Sequence, residues 1–187
     1  VSEITGFVVN EDSSVDDLVL WLNFDDNIND YSSQNQNVSC TSCPTHLPNS
    51  GYASSGAYEF DGIDDYINVE KSDSLNNLST GTLSSWVFLN SSDTSSGFIC
   101  TCNYGIAGTW CLGKWYYLDN FFYVFNTSGK SVRRLMNNKG NLDGRSPLLL
   151  NEWVHYTVTW DGTDINGYVN GILVDSHPQL PEYPQLI

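Results

Sequence analysis

A chain of 187 residues that is 40% apolar is long enough for one well-cored β-sandwich or barrel, short for two domains, and too apolar for global disorder. Seven Lys and Arg against 22 Asp and Glu give a formal charge of −15. Such a surface repels phosphate backbones and anionic lipid heads, which disfavours nucleic-acid and membrane-surface binding and leaves divalent cations, cationic partners and neutral glycans open.

Residues 1–17 are polar and patternless apart from Gly6–Val9 and read as a leader ahead of a domain over 18–187. Leu18–Phe24 (LVLWLNF) is a strong first strand. Residues 25–55, rich in Asn, Ser and Gln with Pro44 and Pro48, read as loop or irregular edge structure. Tyr58–Gly62 and Asp65–Val69 predict two strands joined by a tight acidic turn, and Lys71–Leu78 fits a single helical turn or a loop. Thr80–Leu89 alternates, with Leu83, Ser85, Val87 and Leu89 on one face and Trp86 on the other. Short strands follow at 97–102, 109–118, 120–126 and 131–136. Asn151–Ser176 is the most informative stretch. Trp153–Trp160 has the period of two expected of a strand with one buried face, and Asp161-Gly162 breaks it. A second strand begins at Ile165, Asn170-Gly171 suits a two-residue turn with positive φ at both central positions, and Ile172–Val174 returns. That pattern is a three-stranded antiparallel meander. Many short strands, no long helix and no repeat predict an all-β, two-sheet antiparallel β-sandwich.

Five cysteines are present. Cys40–Cys43 and Cys102–Cys111 are the natural local disulfide pairs. Zinc held by Cys40, Cys43, Cys100 and Cys102 is the competing reading, with poor Cys-X-Cys spacing for a tetrahedral site. The odd thiol is free, paired to a segment beyond this sequence, or paired between chains. Asn-X-Ser/Thr sequons begin at Asn37, Asn77, Asn90 and Asn126. Clustered cysteines with sequons point to an oxidising, extracellular or cell-surface setting and a glycoprotein. No run of about 20 apolar residues is present, so no membrane insertion is expected. No signal peptide is visible, and the chain starts at Val1 as a processed or excised segment would.

Five landmarks stand in order: L-V-L-W-L-N-F-D-D at 18–26, Y-E-F-D-G-I-D-D-Y-I-N-V at 58–69, G-T-L-S-S-W-V at 81–87, E-W-V-H-Y-T-V-T-W-D-G at 152–162 and Y-V-N-G-I-L-V at 168–174. This succession resembles the laminin G-like jelly-roll domains of the concanavalin A-like lectin and glucanase superfamily, over roughly residues 18–175. The resemblance implies a two-sheet jelly roll that serves as a non-catalytic module on secreted or surface proteins, binding glycans or proteins, often with Ca²⁺. Family members continue after the Y-V-N-G hairpin with further strands, the last of which returns beside the first. Here those closing strands are expected to be missing, and a strand-completing partner is one way to supply them. The insertion at 25–55, with Cys40 and Cys43, has no counterpart in the family pattern.

Asp61, Asp64 and Asp65, in a turn with exposed carbonyls, are candidate Ca²⁺ ligands, because Ca²⁺ takes six to eight hard oxygen ligands at about 2.4 Å. Asp25, Asp26 and Asp30 form a second acidic cluster. The plainer reading of both is turn carboxylates bonded to their own backbone. Trp21, Trp86, Trp153 and Trp160 read as core residues. Tyr104, Trp110, Trp115, Tyr116 and Tyr117 lie outside the constant framework and are candidates for stacking on sugar rings, against ordinary sheet packing. The six glutamates are not paired on one strand as in laminarinase-type hydrolases, and the histidines have no partner nucleophile, so no catalysis is expected. The functional expectation is an extracellular recognition or cell-adhesion module for glycans or surface proteins, with loops and a concave sheet face presenting aromatics and a Ca²⁺-organised acidic rim. Two further readings are a structural cell-surface component completed by a partner strand, and an accessory domain of a larger glycoside hydrolase.

Overall fold

The computed structural model describes residues 2–9, 17–76, 80–91, 96–101, 110–115, 118–125, 131–134 and 149–178. Among them the elements are β1 (Ser2–Val9), β2 (Leu18–Leu22), β3 (Val38–Ser39), β4 (Thr45–Leu47), β5 (Ala57–Phe60), β6 (Asn68–Val69), α1 (Asp73–Asn76), β7 (Gly81–Leu89) and β8 (Ser96–Cys100). They continue with β9 (Trp110–Trp115), β10 (Leu118–Phe125), β11 (Ser131–Arg134), β12 (Trp153–Trp160), β13 (Asp164–Val169) and β14 (Ile172–Pro178). The fold is all-β. One eight-stranded antiparallel sheet runs β14-β13-β12-β7-β1-β5-β4, with β2 also on β1; a four-stranded sheet runs β11-β10-β9-β8, and β3 pairs β6.

The meander forms as its local chemistry dictates. Val154, Tyr156, Val158 and Trp160 of β12 and Ile165 and Val169 of β13 turn inward. Asn170 (φ 50°) and Gly171 (φ 77°) make the turn into β14 with both φ positive, which matches the twist of the flanking strands. The Asn170 side chain accepts the His155 N–H at 2.9 Å, tying the turn back onto β12. Leu83, Val87 and Leu89 of β7 join the same core, together with Leu20, Leu22 and Phe24. The smaller sheet closes over it through Leu112, Phe98 and Ile99, with the Phe98 ring stacked 5.9 Å from Tyr156.

Ser2–Val9, expected to be a polar leader, is instead the strand at the sheet's centre. One edge pairs with β7 from Ser2↔Leu89 to Val9↔Thr82. The other pairs with β5 through residues 2–4 and with β2 through residues 6–9. The neighbour that the resemblance assigns to a returning strand beside Leu18–Leu22 is thus supplied by this segment. Its stability comes from ladder bonds to the distant strands β5 and β7 as well as to nearby β2, which a local pattern cannot reveal.

The two strands flanking the acidic turn also differ from a hairpin: β5 pairs β1 and β4, whereas β6 pairs β3. The turn at 61–67 therefore passes from one sheet to another.

Two disulfides are formed among the described residues. Cys40 joins Cys43. Cys111 joins Cys100, not Cys102, because β8 and β9 pair Cys100 opposite Cys111; Cys102 lies outside the described residues. Closing a loop of this size is worth about 3 kcal/mol. Under denaturing, non-reducing alkylation, Cys111 is expected to label in Cys100→Ser and to stay protected in Cys102→Ser. The reverse pattern would restore the Cys102 pairing.

Candidate functional site: an acidic rim and an aromatic sheet face

After β5 the chain turns through Asp61–Asp65. Asp61 Oδ1 accepts the Ile63 N–H at 2.8 Å, Asp65 Oδ2 accepts the Asp61 N–H at 2.7 Å, and the Ser42 hydroxyl donates to Asp64 Oδ2 at 2.9 Å. Gly62 (φ 76°) permits the tight path. One carboxylate oxygen from each of Asp61, Asp64 and Asp65 comes within 4.8 Å of the others. Two oxygens on one Ca²⁺ are separated by at most about 4.8 Å, twice the ligand distance, so the donor set fits a hard cation. Asp61 and Asp64 are exposed and Asp65 is half-buried, which leaves room for water to complete a coordination shell.

Asp25, Asp26 and Asp30 are not gathered in the same way. Asp25 is exposed, and its Oδ1 accepts the Gly56 N–H at 3.1 Å. Asp26 is exposed as well. Asp30 is buried, and both of its oxygens are engaged: Oδ1 accepts the N–H groups of Trp21 and Ser32, and Oδ2 the Ser32 hydroxyl and the Gln36 N–H, at 2.7–2.9 Å. Burial alone would push its carboxyl up, but the donors of Trp21, Ser32 and Gln36 together outweigh that and hold it below the usual carboxylate range. Four donors occupy the lone pairs a metal would need, so Asp30 is a loop anchor and not a ligand.

Of the aromatics expected to stack on sugars, Tyr104, Tyr116 and Tyr117 lie outside the described residues. Trp110 and Trp115 are placed on β9, opposite Val124 and Leu118. Among the sequons, Asn37 and Asn90 are exposed, and Asn77 and Asn126 lie outside the described residues.

A different aromatic group emerges from the large sheet. Of the tryptophans expected in the core, Trp160 is there, but Trp86 and Trp153 are half-buried on the opposite face and Trp21 is 41% exposed. On that face Phe88 stands opposite Trp153, Trp86 opposite His155, Ser84 opposite Thr157 and Thr82 opposite Thr159. Rings occupy one half of the strip and hydroxyls the other. Phe88 meets Trp153 edge-on at 5.8 Å, and Trp86 lies 4.9 Å from the His155 ring. His155 Nε2 and the Ser84 hydroxyl share a hydrogen bond of 2.6 Å, and burial pushes the imidazole down, towards its neutral form. Ser84 Oγ also lies 3.3 Å from the Thr157 hydroxyl.

Tyr52 stacks flat on Trp86, with centroids 3.6 Å apart and planes 10° off parallel, while 46% of the residue remains exposed. It sits on a short 3-10 segment, Tyr52–Ser54, in which Ala53 (φ 55°) and Ser54 (φ 65°) are both left-handed. Each costs about 1 kcal/mol for a residue with a Cβ. A buried Gly51, whose N–H donates to the Ser55 carbonyl at 2.8 Å, helps hold the segment in place. The alternation of Thr80–Leu89 already sets Trp86 apart from Leu83 and Val87. What it lacks is which face the second sheet covers.

The Laminin_G_3 family model, described as concanavalin A-like lectin/glucanases superfamily, matches residues 61–185. This chain belongs to that family. No curated protein matches the Laminin_G_3 chain. Among solved structures it resembles the binding domain of botulinum neurotoxin serotype D, at 14% identity and a TM-score of 0.53, covering 93% of this chain and 39% of that one. The receptor-binding domain of the botulinum neurotoxin mosaic serotype C/D gives 15% identity and a TM-score of 0.56, covering 93% and 38%. This Laminin_G_3 chain thus spans about two fifths of those structures. At such identities the likeness establishes the fold. Among the described residues, no helix is long and apolar enough to cross a membrane.

Proposed function

We propose that this chain is a non-catalytic, extracellular recognition module that binds glycans or surface proteins, with Ca²⁺ held at the Asp61–Asp65 turn. The observation that carries the reading is the convergence of three carboxylate oxygens in a turn supported by its own backbone and by Ser42. Bound there, Ca²⁺ would neutralise the clustered charge and fix the loop, and its open coordination positions would accept sugar hydroxyls or a partner's carboxylate. The family and the binding domains it resembles support the module reading, and the two disulfides suit an oxidising compartment.

Thermal unfolding with excess Ca²⁺, Mg²⁺ or chelator tests the metal. At 100 times its Kd, an ion binding only the folded chain adds about 2.7 kcal/mol. A saturable rise in Tm specific to Ca²⁺ is expected in the wild type and is expected to vanish in Asp64→Asn. Equal Tm values in all three buffers would remove Ca²⁺ from the mechanism. A glycan array probed with and without Ca²⁺ then tests recognition itself.

A further inference from the structure

Two connections cross between sheets side by side. Residues 40–44 lead from β3 to β4, and the acidic turn at 61–67 leads from β5 to β6. Because β3 pairs β6 and β4 pairs β5, the two crossings are neighbours. Ser42 joins them twice: its carbonyl accepts the Tyr66 N–H at 3.1 Å, and its hydroxyl donates to Asp64 Oδ2 at 2.9 Å. Ser42 itself stands inside the short ring closed by Cys40 and Cys43, three residues apart. That ring fixes the backbone presenting both groups, so the acidic turn is braced through a disulfide. It lies in the 25–55 insertion, outside the family pattern.

The two disulfides differ in what a reductant can reach. Cys43 is exposed and Cys40 half-buried, whereas Cys111 is 4% exposed and the Cys100 sulfur lies against Gly97. Reduction begins with attack of a thiolate on a sulfur, so the exposed disulfide is the labile one. Opening it also leaves the sandwich standing. Its partners are three residues apart against eleven for Cys100–Cys111, and a small ring restrains the unfolded chain least. Neither Cys40 nor Cys43 is among the core residues.

We infer that Cys40–Cys43 is a reversible redox clamp on the acidic turn: oxidised, it holds Ser42 against Asp64 and Tyr66; reduced, it frees the turn and weakens its hold on a divalent cation. The inference rests on the Ca²⁺ reading above and adds a regulation to it. The reductant is a dithiol. One of its thiolates attacks the exposed Cys43 sulfur and expels the Cys40 thiolate, and its second thiol then resolves the mixed disulfide. Two electrons pass from the dithiol to the cysteine pair, its two thiol protons end on Cys40 and Cys43, and it leaves as a disulfide. Groups that orient a ligating side chain typically set metal affinity by about tenfold or more, which is the loss expected when the Ser42 bond to Asp64 is released.

The test uses the whole chain in graded dithiothreitol, with iodoacetamide trapping and peptide mapping to show which cysteines label. Cys40 and Cys43 are expected to label at lower dithiothreitol than Cys100 and Cys111, with the circular dichroism unchanged. In chelator, that reduction should speed hydrogen exchange at the Tyr66 amide by about tenfold, the scale of one hydrogen bond, and leave the amides of Tyr156 and Val158 as they were. Calorimetric titration with Ca²⁺ should give a Kd about tenfold weaker in the reduced state. The double variant Cys40→Ser with Cys43→Ser should reproduce that Kd without reductant. Ser42→Ala should weaken Ca²⁺ binding comparably with the disulfide intact, and reduction should then add little. Measurable but equal Ca²⁺ affinities in the two states, Tyr66 exchange indifferent to reduction, or Cys100–Cys111 opening first would each overturn the clamp. A Tyr66 response in a chain that binds no Ca²⁺ in either state would instead remove Ca²⁺ from the turn and leave the clamp standing.

Discussion

Thr5→Pro is expected to cost at least about 3 kcal/mol, and deletion of residues 1–10 to abolish cooperative unfolding altogether. Thr5 lies at the middle of β1, opposite Trp86 on β7, where the other edge passes from β5 to β2. Proline inside a strand that is paired along its length fixes φ and sets its ring against the neighbouring ladder, which an interior strand does not tolerate. Deletion is worse, because it strips the whole edge of β7 together with β2 and β5 in the middle of the sheet. At about 1 kcal/mol net for each hydrogen bond lost, the damage is comparable to the ordinary stability of a domain, about 5–15 kcal/mol. Urea titration followed by circular dichroism, with light scattering for the exposed edges, reads both variants. A deletion variant with wild-type m-value and midpoint would show that the sheet does not need this strand.

The second large effect belongs to Asp30. In Asp30→Asn an amide NH2 replaces one carboxylate oxygen, so either the pair from Trp21 and Ser32 or the pair from Ser32 and Gln36 faces a donor. Bonds to a charged acceptor are worth about 1.5–3 kcal/mol each, and the variant should lose about 3 kcal/mol at pH 7. The pH dependence has a definite sign. Because the folded pKa is lowered, the carboxylate's contribution is complete above the unfolded value near 3.8 and is lost as pH falls through the folded value. The stability gap between wild type and Asp30→Asn should therefore be constant from pH 7 to about 5 and narrow below pH 4. A gap unchanged down to pH 2 would mean that the charge of Asp30 is not what holds the loop.

What could be read in advance was what is local. The meander at 153–178 declares itself through strict alternation and the Asn170-Gly171 turn, and parity alone sorts the side chains of β7 and β12 into two faces. β1 is not legible because Ser2–Val9 lacks that alternation and gains its order from three strands, of which β7 lies more than 70 residues away. Asp61, Asp64 and Asp65 were legible as a cluster because they are neighbours in one turn. Asp25, Asp26 and Asp30 look equivalent on paper, yet Asp30 turns inward to bind N–H groups on both sides of its loop, a choice made by the fold. The tryptophans show the same limit. Parity separates Trp86 from Leu83, but only the position of the smaller sheet decides which of them is covered. The cysteine pairing depended on the β8–β9 register, which places Cys100 and not Cys102 opposite Cys111.

The place of β1 also governs the order in which the molecule can assemble. Ser2 meets Leu89 and Val9 meets Thr82, so every such contact closes a loop of about 70–90 residues, whereas β13 and β14 meet across a two-residue turn. Hairpins of the latter kind form in microseconds, and contacts of the former kind slow folding by orders of magnitude. The meander of β12, β13 and β14 is therefore expected to form first, with the docking of β7 onto β12, across about 65–79 residues, and of β1 onto β7 as the slow steps. Substitutions in β1 should slow refolding as much as they weaken the native state, while changes at the Asn170-Gly171 turn should leave that step untouched.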